Sequence, residues 1–253
     1  MNIIVCVKQV VARDWPTRVD AEGVWIREQE ASFEMNEPDA YALEAALRFK
    51  EQHGGEVTVC SVGPARVTQV IREALARGAD RAIHVVNDEA ARVDAVGVAR
   101  AVADAIKDEA VDLVLTGLQS DDHGFGQTGV TLSALLGLPH ATIIMDVEVG
   151  DGTLRVKREL EGGWFQWVTL PLPALLTIQS GINQLRYATL KGIMAAKKKE
   201  IRVVEAASAT DSRQRIVALY PPEKKKQTCF VGGTPPEIAK TLVRLLRDEA
   251  RAF

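Results

Sequence analysis

Short apolar runs recur along the first 140 residues, separated by longer stretches with helical spacing. Residues 2–7 (NIIVCV), 56–62 (EVTVCSV), 81–86 (RAIHVV) and 111–116 (VDLVLT) carry almost no polar alternation. Such runs predict strands covered on both faces. Between them the apolar spacing predicts helices of about 12 to 18 residues. One opens at Asn36, a suitable N-cap, with Glu37 and Asp39 in its first turn. Residues 66–77 and 92–109 supply two more, and Gly78 stands where the first of these should stop. Strand–helix–strand repetition implies right-handed βαβ units and a mainly parallel sheet.

The pattern changes after Gly137. Residues 147–149, 153–159 and 165–169 alternate apolar and polar positions, with Asp151-Gly152 and Gly162-Gly163 between them. This predicts hairpins that extend the sheet with antiparallel strands. Residues 173–178 (PALLTI) read as a further buried strand. Residues 179–186 are polar and irregular, Thr189 is placed to cap a short helix over 190–198, and 201–204 form another strand. The small, polar stretch 206–214 reads as a linker. The tail beyond it holds a Pro221-Pro222 break, a lysine run and a helix over about 236–250, and is too small to fold alone. The expected organisation is an α/β domain over 1–205 and a C-terminal arm over 206–253, resting on that domain or on a partner. The fold class is α/β: a mainly parallel sheet flanked by helices, with an antiparallel extension.

Composition narrows the function. The 253 residues are 47% hydrophobic, enough for a full core, and carry 31 basic against 34 acidic side chains. A net charge of −3 gives no global field for nucleic acid. Lys197-Lys198-Lys199 and Lys224-Lys225-Lys226 are local basic runs, read as solvated surface or as contacts for an acidic partner. Cys6, Cys60 and Cys229 lack metal-ligand spacing, and the four histidines do not cluster, so no metal site is expected. The chain starts directly on a strand, with no targeting segment and no span of about 20 apolar residues. A cytoplasmic location is the expectation.

Gly124-Phe125-Gly126-Gln127-Thr128-Gly129 matches GxGxxG literally. It follows the fourth strand rather than the first, and six residues separate it from Gly117, so the turn is looser than a dinucleotide fingerprint requires. The whole segment Gly117, Leu118, Gln119, Ser120, Asp121, Asp122, His123 and on to Thr128 leaves a strand end and reaches a helix N-terminus. That position suits a phosphate; the alternative is an ordinary βα loop, although a loop of about 10 residues is long for one. Asp121 and Asp122 would repel a bare phosphate and suit ribose hydroxyls, a base or solvent. In a doubly wound sheet the strand end from Cys6 to Lys8, Val62-Gly63-Pro64 and the run Asn36, Glu37, Pro38, Asp39 can reach the same edge. No GxSxG, HExxH or Walker A string occurs, so a binding or carrier protein is favoured over an enzyme.

Several segments, in order over about residues 1–205, resemble the electron transfer flavoprotein beta-subunit family. They are Val5-Cys6-Val7-Lys8-Gln9; Asn36-Glu37-Pro38 with Leu43-Glu44-Ala45-Ala46; Ser61-Val62-Gly63-Pro64; residues 74–84 (ALARGADRAIH); and Gly117 to Gly129. Residues 156–177 (VKRELEGGWFQWVTLPLPALLT) resemble the family signature, and 186–199 (RYATLKGIMAAKKK) its partner-recognition segment. The tail resembles the family's C-terminal arm only loosely.

The resemblance implies a Rossmann-like, three-layer domain of the adenine-nucleotide-binding type. It implies pairing with an alpha subunit whose FAD carries the electrons, and a structural AMP in the beta subunit at Cys6, Asn36–Asp39, Val62 and Gly117–Thr128. It further implies flavin dehydrogenases as donors and a membrane quinone oxidoreductase as acceptor. Docking would use an exposed leucine at Leu190, with Tyr187, Ile193 and Met194 beside it; read without the family, Leu190 is a core residue of a short amphipathic helix. The chain departs from many relatives at Leu185, where they have proline, and at His123-Gly124-Phe125-Gly126. Bifurcating relatives place a second FAD in this subunit, with a loop closer to Asp-Gly-Asp-Thr; that string is absent here, which favours AMP. The other readings are a free-standing nucleotide-binding regulatory protein, which would lack the 186–199 segment and the tail, and an NAD-dependent enzyme resting on the glycine string alone.

Overall fold

Alternate residues of the first strand serve opposite cores. In β1 (Asn2–Cys6), Ile3 and Val5 join one apolar cluster and Ile4 joins another, all three buried. This is why the run has no polar alternation. The structure, a computed structural model, describes residues 1–206, 212–222 and 228–253. The chain divides into two compact units, 1–219 and 220–253.

In the first unit β1 is followed by β2 (Gln9–Val11), β3 (Phe33–Met35), α1 (Glu37–His53), β4 (Glu56–Gly63), α2 (Thr68–Arg77), β5 (Arg81–Val86), α3 (Ala95–Ile106), β6 (Leu113–Gly117) and α4 (Thr128–Leu136). Then come β7 (His140–Val149), β8 (Thr153–Glu159), β9 (Phe165–Pro171), β10 (Ala174–Ile178), α5 (Leu190–Ala196) and β11 (Ile201–Glu205). One sheet runs β11-β5-β4-β1-β6-β10-β7-β8-β9. It is parallel from β11 to β7, and the β7–β8 and β8–β9 pairs are antiparallel, as the changed pattern after Gly137 predicts. A separate antiparallel pair, β2 with β3, was not anticipated. Its strands have three residues each, too short for a period to show.

Helices α1 and α2 pack their buried residues, among them Leu43, Leu47, Ile71 and Leu75, on one face of the sheet. On the other, α3 and α4 contribute Ala99, Val102, Ile106 and Leu132. The order of the strands reverses between β1 and β6: β1 leads through α1 to β4 on one side, and β5 leads through α3 back to β6 on the other. Open α/β sheets bind ligands beyond the carboxyl ends of the strands at such a point. Asp94 caps α3 by accepting from the Gly97 N–H at 2.9 Å. Asp94 also accepts from the backbone N–H groups of Arg213 and Gln214, which ties these residues to the first unit.

The second unit contains α6 (Pro235–Asp248). Thr234 and Glu237 form a capping box, and Pro235 occupies the first turn. Ile238, Leu242, Leu245 and Leu246 recur at helical spacing, yet no residue of α6 is buried. Lys224-Lys225-Lys226 and most of the expected linker lie outside the described residues. Among the described residues no helix is long and apolar enough to cross a membrane.

Leu175, fully buried at the centre of the sheet, should be costly to truncate. Leu175→Ala is expected to lower stability by about 2–5 kcal/mol, measured from the urea midpoint at constant slope.

Candidate functional site

The carboxyl ends of β1, β4 and β6 enclose a cavity together with the start of α1 and the loop between β6 and α4. Asp39, in the first turn of α1, holds its floor. Its two carboxylate oxygens accept from the backbone N–H of Lys8 at 2.8 Å and of Gly117 at 2.9 Å. Gly117 must be glycine: a Cβ there would lie 2.4 Å from Asp39 Oδ1 and 2.7 Å from the Pro38 backbone. Burial pushes the Asp39 carboxyl up to about 7 against the opposing pull of these hydrogen bonds.

Asn36 was expected to cap α1 with its side chain, and it does not. Its amide instead donates to the Gln119 carbonyl at 3.0 Å and accepts from the Asp121 N–H at 2.9 Å. The loop thereby takes the polar atoms a cap would have used. Asp121 in turn accepts from the Glu37 N–H, while Asp122 forms an ion pair with Lys8 Nζ at 2.6 Å. The adjacent aspartates therefore face different partners. Burial raises Asp122, but the Lys8 ammonium wins and holds the carboxyl below its ordinary range.

The glycine string has a physical role other than the dinucleotide fingerprint. Gly124 and Gly126 take left-handed φ of 65° and 61°. At Gly129 a Cβ would lie 2.6 Å from Thr177 and 2.7 Å from Thr116, so glycine lets α4 press onto β6 and β10. The N-terminus of α4, at Gln127, Thr128 and Gly129, opens on the cavity. Above it His123 lies edge-on to Trp25 at 6.3 Å and tilted against Phe125 at 5.4 Å. Burial, and after it the Lys8 charge, lowers the His123 imidazole below its ordinary value. Among the described residues, three buried polar atoms of the wall have no hydrogen-bond partner: His123 Nε2, Gln9 Oε1 and Arg66 Nε.

Of the residues predicted for this site, Cys6, Asn36, Asp39, Val62, Gly117, Leu118, Gln119, Ser120, Asp122, His123, Phe125, Gly126, Gln127 and Thr128 line the cavity. Glu37, Pro38, Asp121 and Gly124 stand outside its lining. Lys8, at the strand end expected to reach this edge, also lines it; sequence reasoning missed Trp25, Phe33 and Arg66. Trp25 and Phe33 arrive from the irregular stretch before α1, where no periodicity marks their direction.

A second feature lies away from the cavity. Tyr187, Leu190 and Met194 are 90%, 84% and 64% exposed, and Ile193 is 44% exposed. Thr189 caps α5 by accepting from the Gly192 N–H at 3.0 Å. Lys199, expected in a basic rim with Lys197 and Lys198, turns inward and donates to the Leu75 and Ala79 carbonyls.

Asp39 generates a test of the cavity floor. The unfolded carboxyl titrates near 3.9, so raising it to about 7 in the fold favours folding fully at low pH, and that contribution is lost as pH rises to about 7. Asp39→Asn cannot ionise, and its amide cannot accept from both N–H groups. The variant should be less stable, by a margin that is full below about pH 4 and shrinks between about pH 4 and 7, in urea titrations run at each pH.

Residues 24–209 match the family described as "Electron transfer flavoprotein domain". The chain is 38% identical over 261 aligned residues to the electron transfer flavoprotein subunit beta of Methylophilus methylotrophus, covering 98% of each chain. It is 33% identical to that of Bacillus subtilis (strain 168), covering 100% of each, and 34% identical to that of Homo sapiens, covering 99% and 98%. The chain belongs to the electron transfer flavoprotein beta-subunit family.

Proposed function

We propose that this chain is the small subunit of a heterodimeric electron transfer flavoprotein, in which it binds a structural AMP and docks electron-donating dehydrogenases. In this reading FAD is held chiefly by the alpha subunit, takes electrons from flavin dehydrogenases and passes them to a membrane quinone oxidoreductase. The chain is a carrier subunit without catalytic residues of its own. The observation that carries the nucleotide half is the cavity at the strand-order reversal, with a helix N-terminus and a lysine on one wall and unpartnered polar atoms on others.

The wall chemistry fits a nucleoside monophosphate. The N–H groups at the start of α4 suit a phosphate, and Lys8 supplies the nearby positive charge. Val62, Val93, Val98 and Val102 form an apolar wall for a base. Asp122 is already neutralised by Lys8, so its repulsion of an anion is reduced. AMP serves here as a structural ligand: it fills the crevice and satisfies polar atoms that the chain leaves unpaired.

Pairing with an alpha subunit is supported by apolar surface that is exposed among the described residues. α6 carries an apolar stripe with no buried residue. On the antiparallel extension Trp164, Phe165 and Trp167 are exposed, beside Arg155 and Lys157 over the Trp167 and Phe165 rings. Apolar and aromatic side chains in such numbers mark an interface. On this ground α6, in the unit 220–253, is the part of the expected C-terminal arm assigned to the alpha subunit; Arg213 and Gln214 of that arm belong to the first unit.

Two measurements test the reading. Acid release from the purified heterodimer should yield one AMP and one FAD; two FAD and no AMP would assign it to the bifurcating type. Leu190→Ala should move stability by less than about 0.5 kcal/mol, because the side chain has no packing to lose. The dehydrogenase-dependent rate should fall at least about tenfold, equal to about 1.4 kcal/mol of docking energy. A large loss of stability at an unchanged rate per folded molecule returns Leu190 to the role of a core residue.

A further inference from the structure

The exposed patch on α5 poses a physical question. Large apolar side chains in water, on a helix of seven residues, are not held by their own packing, and isolated helices this short are unstable. Something else fixes them. The chain entering α5 is anchored by Arg186, whose guanidinium reaches Glu44 with Nε to Oε2 at 2.9 Å and Nη2 to Oε1 at 3.1 Å. The Arg186 backbone N–H also donates to Glu44, at 3.1 Å, and the guanidinium pairs further with Glu51. Arg77 on α2 donates to the Arg186 carbonyl at 3.2 Å, and Asn183 donates to the Tyr41 carbonyl at 3.0 Å.

Glu44 itself is 3% exposed. A carboxylate so deeply placed on a helix surface is costly unless it is paired. Arg48, four residues on, takes one oxygen at 2.8 Å, and Arg186 occupies both. On the far side of the patch Arg72 donates to the Lys199 carbonyl at 2.9 Å. Gly192 sits so close to α2 that a Cβ would lie 2.2 Å from the Ala76 carbonyl oxygen. The patch is thus exposed but fastened at both ends.

We infer that Arg186 is a positioning residue: clamped by Glu44 and Glu51, it preorganises Tyr187, Leu190, Ile193 and Met194 for docking. The inference rests on the docking reading given above. A surface ordered before contact loses less conformational entropy on binding than one that must order during it. The clamp explains why arginine stands there: only a planar fork spans two carboxylates while its own N–H contacts one of them.

The test uses the intact heterodimer and a purified flavin dehydrogenase that reduces the wild type. Arg186→Ala, Arg186→Lys and Leu190→Ala are compared, with the heterodimer as the varied substrate. Because Arg186→Ala leaves the buried Glu44 carboxylate with Arg48 as its remaining charged partner, the pair Glu44→Gln/Arg186→Gln serves as a second, neutral disruption. Both disruptions should speed amide exchange over residues 187–193 and raise KM at least about fivefold, with kcat within about twofold. Arg186→Lys, keeping the charge but not the fork, should fall between. A melting temperature lowered in all variants with exchange and KM unchanged assigns Arg186 to stability alone and overturns the clamp. An unchanged KM in Arg186→Ala where Leu190→Ala raises it likewise overturns the clamp but spares the docking reading. An unchanged KM in Leu190→Ala overturns the docking reading, and the purpose assigned to the clamp with it.

Discussion

A single carboxylate, that of Asp39, accepts from two backbone N–H groups belonging to neighbouring strands, Lys8 beyond β1 and Gly117 at the end of β6. The ladder between these strands stops at Val5 and Leu115. Beyond it the strands part, and each leaves N–H groups that must find an acceptor away from water. Asp39 supplies two oxygens at once. It does so from the first turn of α1, where the helix dipole offsets part of the cost of a buried negative charge. The approach is so close that Gly117 tolerates no Cβ. One short acid thus joins the two strand ends at the crevice where the strand order reverses.

This constraint explains what the sequence disclosed. Residues that bury apolar surface on both sides of a parallel sheet announce themselves, and the runs at 2–7 and 81–86 mark β1 and β5 to within a residue. Thr189 and Gly78 act as the cap and the stop their chemistry suggests. Asn36 shows where local rules fail. It has the right type and place for a capping side chain, yet a partner 83 residues away, the Gln119 carbonyl, takes its amide. The start of the 92–109 helix fails in a similar way. Residues 90–92 form a separate tight turn, and Asp94, buried by contacts from 212–214, begins α3. Long-range partners are not written in local spacing.

The glycine string carries the same lesson at the site. Three glycines in GxGxxG spacing suggest a pyrophosphate turn, but only two of them serve left-handed turns, and the third lets α4 close on the sheet. The motif matches because both loops must join a strand to a closely packed helix N-terminus, a shared steric demand. What the string could not reveal is the wall opposite. Trp25 and Phe33 come from a stretch with no hydrophobic period. Its course is set by the short β2–β3 pair and by ion pairs such as Arg66–Glu28 at 3.3 Å.

The cavity and the exposed patch stand on one helix. Asp39 opens α1 and Glu44 follows five residues later, about 140° further around the axis at 100° per residue. The first therefore meets the strand ends, and the second meets the chain that enters α5. Both acids are buried, at 7% and 3% exposure, on a helix whose remaining buried residues are all apolar. Their partners differ in kind. Asp39 is satisfied by neutral backbone donors and its carboxyl is pushed up by burial. Glu44 also feels burial, but the Arg186 and Arg48 guanidiniums overcome it and hold the carboxyl low. The fuller desolvation of Asp39 and the charged donors of Glu44 together separate the two acids. Backbone donors hold the acid at the cavity, and charged donors fasten the one beneath the surface segment, where water competes. Leu43 and Leu47, locked into the core between and beyond them, keep both acids in register with the sheet.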